Sequence, residues 1–100
     1  MRLTQNELQY LREFFAVKPV EKAFLFGSYS RGSADDTSDI DILLELDYSH
    51  HIGMGLIKMK FELEDALKRK VDLVTRPSIS KDLLPIIDQD KLLIYERPVR

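Results

Sequence analysis

The nine residues "DIDILLELD", Asp39 to Asp47, alternate except at Leu43 and read as the clearest strand of the chain. Ile40, Ile42, Leu44 and Leu46 fall on one face, and Asp39, Asp41, Leu43 and Glu45 on the other. The first face demands a core. The second carries two acids two positions apart, although aspartate is a poor strand residue. A chain built around this strand needs a covered sheet, and it needs an account of the acids.

The flanking segments supply the cover. Thr4 with Glu7 three residues later forms a capping-box pattern, and Leu8, Leu11, Phe14 and Phe15 then recur at helical spacing. Lys18-Pro19 ends that helix, because proline disfavours the helical conformation in the residue before it. "KAFLFG" reads as a short buried strand ending at Gly27, and residues 28–38 as one helical turn at most, then loop. "YSHHIGMG" is a loop. From about Leu56, the residues Leu56, Met59, Leu63, Ala66 and Leu67 mark an amphipathic helix, with Lys60–Glu64, Glu64–Lys68 and Asp65–Arg69 placed for i,i+4 pairing. "KVDLVTR" is a strand closed by Pro77. "SISKDLLPIIDQD" gives one or two short helical turns, with Pro85 interrupting any longer helix. "KLLIYE" is a last strand and "RPVR" a frayed tail. The expected architecture is α+β, close to α/β: a single mixed β-sheet flanked by helices, in one domain spanning residues 1–100.

Composition narrows the function classes. A net charge of -2 does not suit a nucleic-acid binder. The absence of cysteine rules out disulfides and thiolate zinc sites and is compatible with a reducing cytoplasm. No signal peptide and no membrane-spanning run is visible, so the expected location is cytoplasmic.

Three features carry chemistry. Carboxylates at i and i+2 on a strand lie roughly 6.6 Å apart at the α-carbons and repel unless a cation sits between them. Asp39 and Asp41 therefore suit a hard cation such as Mg²⁺, and half of a two-metal site. Gly27 ends a strand where backbone can approach a ligand closely. A helical turn beginning at Ser28 would aim N–H groups at a phosphate, with Arg31 one turn later. Asp72 is an acid inside an apolar strand, and it converges with the pair if the two strands are neighbours. Each feature alone has a plainer account: a solvated sheet face, an ordinary strand-to-turn corner, a solvated edge position. Together they form a coherent site for a nucleoside triphosphate with two Mg²⁺ ions, in which a hydroxyl near Asp72 attacks the α-phosphate and pyrophosphate leaves.

"GSYSRGSADDTSDIDILLEL" resembles the signature of the polymerase β-like nucleotidyltransferase superfamily, and the short length and terminal "IYE" resemble its minimal nucleotidyltransferases. The resemblance runs from Val20 to Glu96. It implies a polymerase β-type nucleotidyltransferase fold. It implies that Gly27 and Ser28 bind the triphosphate with Arg31 assisting, and that Asp39 and Asp41 ligate both metals. Asp72 is implied as the third ligand, which helps activate the attacking hydroxyl. Minimal nucleotidyltransferases pair with HEPN-domain ribonuclease toxins. The resemblance thus implies an antitoxin that transfers AMP from ATP to a tyrosine of such a partner and silences it. Two other readings stand beside it: an antitoxin that blocks its partner by contact alone, and transfer to a small molecule.

Other residues invite plainer readings. His50 and His51 are adjacent loop residues, and Met54, Met59 and Phe61 are core or interface material. Asp35 and Asp36 are solvated turn residues. Tyr10, Tyr29, Tyr48 and Tyr95 are conceivable self-modification acceptors, but burial or packing is the expected fate of each.

Overall fold

The computed structural model describes residues 2–49 and 54–98. The elements are α1 (Gln5–Ala16), β1 (Val20–Phe26), α2 (Ser28–Arg31), β2 (Ile40–Leu46), α3 (Gly55–Leu67), β3 (Val71–Thr75), a 3-10 turn (Arg76–Ser78), α4 (Leu84–Asp90) and β4 (Leu92–Glu96). The strands form one mixed sheet in the order β3-β2-β1-β4. β1 runs antiparallel to both β2 and β4, while β2 and β3 are parallel, joined by the α3 crossover. This is the expected α+β arrangement.

The alternation of β2 decides where the core lies. Ile40, Ile42 and Leu44 are fully buried, together with Ala23 and Leu25 of β1 and Val71 and Leu73 of β3. α1 covers this face with Leu11, Phe14 and Phe15, and α3 with Met59, Leu63 and Leu67, one residue per turn. The Thr4–Glu7 capping box is formed in full: Thr4 N donates to Glu7 Oε1 at 2.8 Å and Glu7 N to Thr4 Oγ1 at 3.0 Å. Arg12 of α1 crosses to the sheet edge, where its Nε donates to the Ile94 carbonyl at 3.1 Å.

Several expectations are corrected. The i,i+4 ladder on α3 gives way to longer connections: Glu64 accepts the Val71 backbone N–H at 3.0 Å, Arg69 pairs with Glu7 of α1, and Asp65 pairs at i+3 with Lys68. β3 begins at Val71, soon after α3 ends at Leu67, and its first amide needs an acceptor. Glu64 is the group within reach. The short helical turns expected around Pro85 are present as α4, and only the place of the proline differs. It stands in the first turn of α4, where its missing N–H costs nothing. Nor is the whole tail frayed: Arg97 N donates to the Glu21 carbonyl at 2.8 Å, and the Arg97 guanidinium pairs with Asp47 at 2.9 Å. His50 and His51 lie outside the described residues.

The two faces of α3 give a direct test. Leu63 is fully buried and Phe61 is 61% exposed. Leu63→Ala should cost about 3 kcal/mol in urea unfolding, and Phe61→Ala no more than about 0.5 kcal/mol.

Candidate active site

The parallel pairing of β2 and β3 sets Ile40 against Val71, Asp41 against Asp72 and Leu43 against Val74. Register partners in a parallel pair share a face, so Asp41 and Asp72 stand side by side on the side of the sheet away from α1 and α3. On the other flank Asp41 is the partner of Phe26, the last residue of β1. Asp39 precedes β2 and is exposed, as is Asp72, whereas Asp41 is half-buried. The sheet thus brings together the acids singled out from the sequence. Among the described residues, no three acidic or histidine side chains are drawn into a ready-made ion-binding set.

The electrostatics of the cluster fall on Asp41. Burial, then the charges of Asp72 and Asp39, push its carboxyl up to about 6, with Arg31 acting weakly in the opposite direction. A carboxylate so disfavoured, beside two others, is a donor set that suits a hard divalent cation.

Gly27 closes the site from the side. It has φ +74° and ψ -152°, a conformation open essentially to glycine alone. A Cβ built there would collide with Oδ2 of Asp41. The strand-to-helix corner and the central acid are therefore in van der Waals contact. The cradle is narrower than the sequence suggests. The Gly27 carbonyl accepts the backbone N–H groups of Ser30 and Arg31, at 3.1 and 3.2 Å, and the Ser30 hydroxyl at 2.8 Å. Those two amides are engaged within the turn and are not free to meet a ligand.

The loop between α2 and β2 is ordered by Asp35. Its Oδ1 accepts the Thr37 hydroxyl at 2.6 Å, the Thr37 amide at 2.9 Å and the Ser38 hydroxyl at 3.3 Å, and these bonds lower its pKa. Asp35 is more than a solvated turn residue: it shapes the turn that delivers Asp39. The Asp-x-Thr spacing was the available signal. Asp90 and Lys91 carried none. Arg31 Nη1 pairs with Asp90 Oδ2 at 3.0 Å, and Lys91 Nζ sits 4.5 Å from the centroid of the Phe24 ring on the acid-bearing face.

The tyrosines divide. Tyr29 is 1% exposed, with the Arg69 guanidinium 5.7 Å from its ring centroid, so it is a wall of the corner. Tyr95 is buried as well. Tyr48 is exposed, contrary to expectation, but it follows the far end of β2, roughly 20 Å from the acids at strand rise.

With this geometry in view, comparison with known proteins is decisive on family. Residues 8–95 match the nucleotidyltransferase domain. The chain belongs to that family. It is similar to a protein of Methanocaldococcus jannaschii named "Putative protein adenylyltransferase", at 43% identity over 60 residues, covering 60% of this chain and 63% of that one. It is also similar to the protein adenylyltransferase MntA of Thermococcus cleftensis, at 36% identity over 73 residues, covering 73% and 70%. The chain spans less than two thirds of the length of the first of these relatives. Among solved structures it resembles a chain from a toxin–antitoxin crystal structure with AMP-PNP. The TM-score is 0.73 at 26% identity, covering 94% of this chain and 74% of that one. The fold is the polymerase β-like fold of minimal nucleotidyltransferases. No helix among the described residues is long and apolar enough to cross a membrane.

Two outcomes follow from Gly27 and Asp41. Gly27→Ala should destabilise the protein by about 2 kcal/mol or more, through both backbone strain and the displaced carboxylate. Asp41 binds its proton more tightly when folded than when unfolded, so metal-free stability should fall as pH rises from about 4 to 7. Asp41→Asn should remove that slope and stabilise the metal-free protein at pH 7.5. The gain should be about 1 kcal/mol, since solvent screens a half-buried group. The two proteins should melt alike near pH 4.

Proposed function

We propose that this chain is an antitoxin that transfers AMP from ATP to a tyrosine hydroxyl of a HEPN-type ribonuclease partner. The observation that carries the reading is the in-register pair Asp41–Asp72 beside Gly27 and Ser28. The named activity of the relatives supports AMP as the group transferred, and the toxin–antitoxin neighbour supports a protein partner.

In this reading the Ser28 hydroxyl and the Arg31 guanidinium hold the triphosphate, the latter through charge-assisted hydrogen bonds. Asp39, Asp41 and Asp72 would hold two Mg²⁺ ions, which when bound neutralise the triphosphate and polarise the α-phosphate. Asp72 is the most outward of the paired acids, and it orients the acceptor hydroxyl and draws off its proton. The acceptor oxygen forms a bond to the α-phosphorus as the bond to the bridging oxygen breaks, and pyrophosphate leaves. The rigid sheet keeps Asp41 and Asp72 in register throughout, so attack is a matter of positioning rather than rearrangement. Tyr29 is walled in and Tyr48 is remote from the acids, which favours an acceptor on another molecule.

The test is direct. Incubation with a HEPN-type ribonuclease partner, ATP and Mg²⁺ should give AMP adducts on that partner by mass spectrometry. Asp39→Asn/Asp41→Asn should lower the rate about 10³-fold or more. A double variant that still neutralises the partner without adducts would identify blocking by contact as the mechanism. Adducts only on small molecules would identify a different acceptor class.

A further inference from the structure

Arg31 stands between two anions. It sits on the short α2, half exposed, with Nη1 3.0 Å from Oδ2 of Asp90, the last residue of α4. It is also near enough to the Asp41 cluster for its charge to act, as the smallest influence, on the Asp41 carboxyl. A long flexible cation beside three carboxylates is drawn toward them. An arginine folded onto Asp41 would occupy the space a metal ion needs and would be lost to the triphosphate.

Asp90 supplies the competing anchor. One hydrogen bond from Nη1 leaves most of the five guanidinium donors available. An acid beside a site for a polyanion is unfavourable unless a cation accompanies it, and Arg31 is that cation. The pair does little for stability, since both side chains are substantially exposed. Nor does packing place Asp90, because no residue of α4 is buried. Charge ties the helix to the rest of the molecule at two points: Asp88 pairs with Arg76 at 2.6 Å, and Asp90 with Arg31 at 3.0 Å.

We propose that Asp90 is a positioning residue for nucleotide binding: its carboxylate holds the Arg31 guanidinium on the α4 side of the site, clear of Asp41 and Asp72 and open to the triphosphate. This rests on the reading of Ser28 and Arg31 as triphosphate ligands. It gives α4, which contributes nothing to the core, a role in substrate affinity.

Calorimetric titration with AMP-PNP and Mg²⁺ tests it, with turnover measured alongside. Asp90→Ala should weaken nucleotide binding about tenfold and raise KM by a similar factor, leaving kcat within about twofold. Asp90→Glu, which keeps the charge, should stay within about threefold of wild type. Asp88→Ala, which cuts the other α4 tether, should change affinity by less than about twofold. In an Arg31→Ala background, Asp90→Ala should weaken binding no further, and relief of the unpaired charge should leave affinity equal or higher. The proposal is overturned if Asp90→Ala leaves affinity unchanged or tightens it. It is equally overturned if Asp88→Ala matches Asp90→Ala, or if the Arg31 and Asp90 effects add. A wild-type protein that binds no nucleotide overturns the triphosphate reading itself, and this inference with it.

Discussion

The parallel register between β2 and β3 is the constraint on which the site depends. It sets Asp41 beside Asp72 with no freedom to relax apart, because each is fixed by backbone bonds on a strand whose other face is packed. Parallel pairing requires a crossover, and α3 provides it while burying Met59, Leu63 and Leu67. The helix that completes the core is thus the same device that makes the acids neighbours. A one-residue slip would send Asp41 into the core and Ile42 to the surface, so hydrophobic burial enforces the spacing of the acids.

The cost of that arrangement is local and identifiable. Asp41 is half-buried against Gly27 with two like charges nearby, and its raised pKa expresses how unfavourable the ionised state is without a counter-charge. The surroundings limit the damage. Tyr29, Arg69 and Glu7 lock the corner behind Gly27, and Asp35 fixes the loop in front of Asp39. Leu43, on the acid-bearing face, is fully buried, so that face is also part of the packed structure.

Much of this was legible in the sequence because the relevant signals are local. The alternation of β2, the capping box at Thr4, the Gly27-Ser28 corner and the acid inside β3 each declare themselves within a few residues. What escaped depends on pairing at a distance. Arg31 and Asp90 are separated by 59 positions, Arg69 and Glu7 by 62, and Arg97 and Asp47 by 50. Surface charges have many alternative partners, and only the fold selects among them. Pro85 was misleading for a different reason: the same residue breaks a helix interior and begins a helix, and only its place relative to Leu84 decides which.

The sheet has two open sides, and β4 is one of them. Its backbone would ordinarily invite a strand from another molecule. Here the Arg12 guanidinium sits on the Ile94 carbonyl, and the register with β1 shifts between Ala23 and Phe24. A capped acceptor and an irregular edge make a poor template for strand addition. The exposed Leu92 and Leu93 at this border therefore stand beside an edge that offers a neighbouring strand little to pair with.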